Sequence, residues 1–227
     1  NIKKFFLLII SGLLVSSGLI SATTEIKAQE NVYDTIVIEC DFPLPNIEKI
    51  RLGEELYDRV TMEFLPNSCD SNTPCLPVKP LKVLLPYNTI VDSVDIIVED
   101  GLSLGVGFNV EKAHSIIPFV STETIENGYV AEPTFSNSLF NIVGTYIFRG
   151  YAILFVNIHP ILYKEDLGEL IWYDHVTLQV KTKAGSITKS IRNINQDKEL
   201  VMDQVENPQV IVTYENAPLS KPLDSVE

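Results

Sequence analysis

The chain has 227 residues, 45% of them hydrophobic, enough for one large or two small domains and too apolar for a disordered tail. It carries 30 acidic residues against 17 basic, a formal net charge of −13. Phosphate is bound by clustered Lys or Arg that displace its counterions; no basic stripe is present, so nucleic acid and anionic lipid are excluded as partners.

The first residues read as an address. Asn1-Ile2-Lys3-Lys4 is a short positive start, Phe5 to Ile20 is an uncharged and largely apolar run, and small residues follow at Ser21 and Ala22. This is the pattern of a secretory signal, with Ala22 and Ala28 both available as the cleavage position. It predicts a secreted or cell-surface protein with no membrane attachment after cleavage; the alternative is a retained N-terminal anchor. The strongly apolar part is shorter than the ~20 residues that span a bilayer.

Strand patterns dominate the remainder. Val32, Ile36, Ile38 and Cys40 alternate with polar neighbours until Pro43 and Pro45 intervene. Tyr57 to Phe64 places Val60, Met62 and Phe64 on one face. The polar loop Asn67 to Cys75 follows, and its closely spaced Cys69 and Cys75 predict a disulfide in an oxidising compartment. Cys40 is left as a buried free thiol. Leu81, Val83 and Leu85 alternate up to Pro86, and Val94, Ile96 and Val98 share a face of the next strand. Leu102 to Val110 is strand-like, but its glycines suggest a bulge or an edge. Ser121 to Asn141 is polar and predicts a long ordered connection, the kind of loop that carries function or binds a neighbour.

Ile142 to Arg149 then leads through Gly150 into Tyr151 to Ile158, where Ala152, Leu154, Val156 and Ile158 share a face. After a turn at Lys164 to Gly168, Trp172, Val176, Leu178 and Val180 line a returning strand, which predicts an antiparallel hairpin with one wet side. Strands at this spacing predict an all-β fold, an antiparallel β-sandwich. From Lys183 to Asn207 the pattern is lost, and Gln209 to Tyr214, with Val210, Ile211 and Val212, reads as a fresh apolar strand.

Signs of chemistry are few. His114, His159 and His175 form no metal-binding spacing, there is no C-x-x-C, and no glycine-rich phosphate loop or cofactor motif is present. Asp92, Asp95, Glu165 and Asp166 sit on solvated faces and turns. The sequence therefore predicts no catalytic residue, metal or cofactor within the chain.

Two segments carry a family likeness. Thr73-Pro74-Cys75-Leu76-Pro77-Val78, followed by Val83-Leu84-Leu85-Pro86, is similar to the "G-x-P-x-L-P-V … v-x-i-P" signature of gingipain-type cysteine peptidase propeptides. Arg149-Gly150-Tyr151, Val156 to Pro160, Tyr163, Gly168-Glu169-Leu170 and Tyr173 resemble the same family's "R-G … v-x-P-v-x-Y-n-P … G-x-L-x-x-Y" hairpin. Cys75 replaces a small variable position, and Lys164 and Glu165 stand where Asn and Pro are usual. The matching region runs from about Val32 to Lys183. Its key residues, Pro74, Leu76, Pro77, Pro86, Arg149, Gly150, Pro160, Tyr163, Gly168 and Tyr173, are turn and packing residues.

The resemblance implies a non-catalytic pro-region that assists folding and covers the active site of a peptidase domain lying C-terminal to it, its intramolecular partner. It partitions the chain into a signal peptide and spacer (1–28), a β-sandwich prodomain (29–183), a linker (184–207) and the start of a catalytic domain (208–227). The competing reading is a free-standing secreted or cell-surface β-sandwich that binds or adheres.

Overall fold

A computed structural model describes residues 35–68, 73–112, 138–185 and 195–215. The expected signal segment, Cys69 of the expected disulfide, His114 and residues 121–137 of the long connection lie outside them.

In chain order the strands are β1 (Thr35–Asp41), β2 (Asn46–Leu52), β3 (Glu55–Thr61), β4 (Asn67–Ser68), β5 (Leu76–Pro77), β6 (Lys79–Leu84) and β7 (Thr89–Val98). They continue as β8 (Leu102–Gly105), β9 (Phe140–Phe148), β10 (Tyr151–Ile158), β11 (Ile161–Lys164), β12 (Glu169–Trp172) and β13 (His175–Ala184). Helix α1 (Asn195–Met202) and a 3-10 helix (Pro208–Tyr214) follow.

Two antiparallel sheets face each other, one ordered β1-β13-β7 and the other β6-β10-β9. Ile36, Ile38 and Cys40 of β1 and Val176, Leu178 and Val180 of β13 supply one inner face. Leu81 and Val83 of β6, with Ala152, Leu154, Val156 and Ile158 of β10, supply the other. The all-β class is borne out, and one core holds the two sheets together. A smaller sheet, β11-β12-β8, contributes Ile161, Tyr163 and Leu170 to the same core.

The hairpin expected between Tyr151–Ile158 and the strand from Trp172 to Val180 does not form. β10 pairs with β6 and β9, whereas β13 pairs with β1 and β7. Both strands present a row of large apolar side chains, and these meet face to face across the core rather than edge to edge. The hairpin at Lys164–Gly168 is instead the short β11–β12 pair, which carries the chain from one sheet to the other. The strand expected over Tyr57 to Phe64 stops at Thr61, because the chain turns at Phe64 with φ of +61°. Phe64 consequently leaves the core face and is 93% exposed.

The strand expected over Gln209–Tyr214 is the 3-10 helix, and the patternless stretch before it contains α1. Val210, Ile211 and Tyr214 lie on one side of the 3-10 helix, and together with Val201 and Val205 they cover Leu84, Tyr151 and Ile153 on the outer face of β6 and β10. No neighbouring ladder is open to a strand here, because polar contacts already occupy the β6 edge. The Glu206 N–H donates to the Lys82 carbonyl at 2.9 Å. The Asn207 amide accepts from the Leu84 N–H at 2.8 Å and donates to its carbonyl at 2.9 Å. Residues 195–215 are therefore a strap, part of the same compact unit as the sandwich.

Tyr214 is the innermost point of the strap. Its hydroxyl accepts from the Ala152 N–H at 3.1 Å and donates to the Leu85 carbonyl at 2.9 Å. Its ring meets Tyr151 and Tyr87 at centroid distances of 4.8 and 5.6 Å. Burial, the largest influence, pushes its phenol up to about 12. A raised pKa means that the contribution to stability is complete below the ordinary tyrosine range and is lost as pH rises through about 12. Tyr214→Phe should destabilise the domain by about 1–3 kcal/mol in urea unfolding, because it orphans two buried backbone groups. An unchanged midpoint would show that the strap does not depend on this anchor.

Candidate functional site

The residues singled out from the sequence gather at two places. At the first, Tyr163 on β11 donates its hydroxyl to the Phe108 carbonyl at 2.8 Å. Gly168 closes the β11–β12 turn with φ of +60°, and a Cβ there would lie 2.6 Å from the Phe108 carbonyl oxygen. The Phe108 N–H in turn donates to the Gly168 carbonyl at 3.0 Å. Glycine is thus required twice over at 168, by backbone conformation and by close approach. Tyr173 donates its N–H to the Pro160 carbonyl at 2.9 Å, and its ring lies against Gly101. These groups fasten the small sheet to the segment after β8.

The same segment is held from the other side by β3. Asp58, 1% exposed, accepts from the Asn109 N–H at 2.8 Å and pairs with Lys49 Nζ at 2.7 Å. Arg59 forms a two-pronged pair with Glu111, at 2.8 and 3.0 Å. Nearby, Pro74 bridges to Lys112, Cys75 donates its N–H to the Glu111 carbonyl at 2.7 Å, and Leu76–Pro77 pairs with Asn67–Ser68. The buried Asp58 was not legible in the sequence, since an aspartate in an alternating strand reads as solvated.

The second gathering place is the strap. Pro86 accepts hydrogen bonds from the Thr89 hydroxyl and N–H, and the next residue, Tyr87, donates its N–H to the Thr213 hydroxyl at 2.9 Å. Arg149 and Gly150 form the two-residue β9–β10 turn, with φ of +54° and +94°, the positive values that a type I′ hairpin demands at both positions. The Arg149 guanidinium pairs with Asp197 of α1, which is 3% exposed, and lies over the Phe148 ring at 5.3 Å. Arg149 therefore links the turn to the strap. No sequence signal marked Asp197 as its partner.

Cys40 is a buried free cysteine whose burial pushes the thiol up, away from the thiolate that a nucleophile requires. His159 Nε2 contacts Asn141 Oδ1 at 2.8 Å. His175 Nδ1 contacts Asp41 Oδ1 at 2.7 Å on the wet face of the β1-β13-β7 sheet. Among the described residues, no three His, Cys, Asp or Glu side chains are grouped as metal ligands.

The surface offers a different kind of site. β9 is an edge strand of nine residues without a charge or a proline, and Ile142, Val143, Tyr146, Ile147 and Phe148 are all exposed on it. Apolar edge strands of this length are ready templates for another chain.

The Asp41 hydrogen bond, the largest influence, raises the pKa of His175. Stability from this pair is complete below the ordinary histidine pKa and is lost as pH rises through the folded value. An NMR titration should place the His175 midpoint above ~6.5, and Asp41→Asn should lower it. Equal midpoints in the two proteins would refute the pairing.

Comparison with protein-family models and with curated protein sequences gives no match. Among solved structures, the chain is similar to one in the complex of Porphyromonas gingivalis RgpB pro- and mature domains. That likeness has 14% identity and a TM-score of 0.58, covering 78% of this chain and 92% of that one. A structure concerned with the zymogenic latency of gingipain K, from the same organism, is similar over 68% of this chain and 90% of that one, with 13% identity and a TM-score of 0.47. The gingipain-type likeness read from the turn motifs therefore holds at the level of the fold.

Proposed function

We propose that the chain is the non-catalytic pro-region of a secreted gingipain-like cysteine endopeptidase, assisting the folding of the following catalytic domain and covering its active site. The observation that carries this reading is the fold shared with the RgpB pro- and mature-domain complex over 92% of the matched chain. The family-motif residues support it by where they lie. Tyr163, Gly168, Pro160 and Tyr173 stabilise turns and sheet junctions, as a scaffold requires. In this reading the connection expected from Ser121 to Asn141 crosses the enzyme's cleft, since extended segments readily dock by adding a strand.

The purified chain, added in trans to the mature catalytic domain, should inhibit it. Deleting residues 121–137 should weaken inhibition by about ten-fold or more while the β-rich circular dichroism spectrum persists. Inhibition unaffected by the deletion would remove the loop from the mechanism. No inhibition by the intact chain would favour the binding-module reading.

The apolar lead segment supports export. Mass spectrometry of the secreted protein should find a new N-terminus between Ile20 and Glu30. An intact N-terminus in the membrane fraction would establish a retained anchor instead.

A further inference from the structure

We infer that the free edge of β9 is the surface on which the catalytic domain docks, with an extended, uncharged segment of that domain adding to Phe140–Phe148. The inference rests on the pro-region reading and gives that reading a contact surface. Among the described residues, every other edge strand of six residues or more is protected in some way, β2 by Glu48, Lys49 and Arg51 and β3 by Glu55, Asp58 and Arg59. β1 carries Glu39 and Asp41, and β7 carries Asp92 and Asp95. β6 carries Lys79, Pro80 and Lys82, and Glu206 and Asn207 further occupy its edge. Among the described edge strands of this length, β9 alone carries no charge, proline or capping contact, and its one irregularity is the bulge at Val143 opposite Phe155 and Val156.

Among the described residues no strand pairs with the outer edge of β9, and side chains on both its faces are exposed. Ile142 and Ile147 stand opposite Val156 and Ala152, whose side chains point into the core, yet both isoleucines are exposed. The facing sheet therefore does not reach over them. Tyr146 and Phe148 stand opposite Ile153 and Tyr151 on the outer face and are also exposed, beyond the cover of the strap. An added strand would gain backbone hydrogen bonds along the edge and apolar contacts on either side.

The chain's own path identifies the occupant. Glu215, the last described residue, pairs with Lys198 at 3.5 Å. Lys198 adjoins Asp197, which holds Arg149 immediately after β9. The chain thus leaves the strap beside the Phe148 end of the open strand. On the pro-region reading the following domain is presented there at high effective concentration, an advantage that no separate partner has. A second copy is disfavoured by the net charge of −13, which opposes self-association.

The test compares binding of the intact chain and of Val143→Lys/Tyr146→Lys to the mature catalytic domain, with Val37→Lys on β1 as the control. The β9 double variant should weaken binding at least about ten-fold, and the control should leave it unchanged. If the double variant fails to fold, amide hydrogen exchange on the unsubstituted complex decides, and new protection along residues 140–148 is expected. Tight binding by the double variant, or no protection on β9, overturns the inference while leaving the pro-region reading intact. No binding by the unsubstituted chain overturns that reading itself. A chain dimer that the double variant dissociates, without peptidase binding, assigns the edge to a second copy.

Discussion

β10 is apolar on both faces, and the remainder of the fold answers that constraint. Ala152, Leu154, Val156 and Ile158 require one cover, Tyr151 and Ile153 another. The β1-β13-β7 sheet supplies the first and the strap of residues 195–215 supplies the second. Removing a large apolar side chain from water is worth about 1.5–3 kcal/mol, so neither face of the strand tolerates exposure. The strap is consequently a layer of the same compact unit as the sandwich.

The polar anchors of the strap follow from the same burial. Covering β6 and β10 removes the Leu84, Leu85 and Ala152 backbone groups from water, and each must find a partner. Asn207 serves Leu84 by presenting an amide in place of a strand backbone, and the Tyr214 hydroxyl serves Ala152 and Leu85. Arg149 extends the attachment to the β9–β10 turn. One edge of the β6-β10-β9 sheet is thereby closed, while the other is unpaired among the described residues.

A scaffold of this kind explains why its recognisable residues are prolines, glycines and tyrosines rather than acids, bases and nucleophiles. Gly168 and Tyr163 fasten one loop through Phe108, and Asp58 with Arg59 fastens the same segment from the opposite side. What such a frame offers a partner is a fixed surface. β9 is uncharged, whereas the chain as a whole carries a formal net charge of −13.

The sequence by itself determined the strand class, most inward faces and the turn residues, because these depend on local periodicity and on backbone conformations that glycine and proline restrict. The inward rows of β1, β10 and β13 were legible for that reason, as was the Arg149–Gly150 turn. Only the tertiary structure decided which strands pair. The apolar rows of β10 and β13 fit a hairpin or opposed sheets equally well, and periodicity carries no information about a partner. The segment Val210–Val212 was ambiguous for a related reason. A short apolar run is strand or helix according to what it covers, and the β6 edge it might have joined was already taken by Glu206 and Asn207. The pairings of Arg149 with Asp197 and of Asp58 with Lys49 and Asn109 were likewise settled in three dimensions, since a charge becomes an anchor only when folding removes it from water.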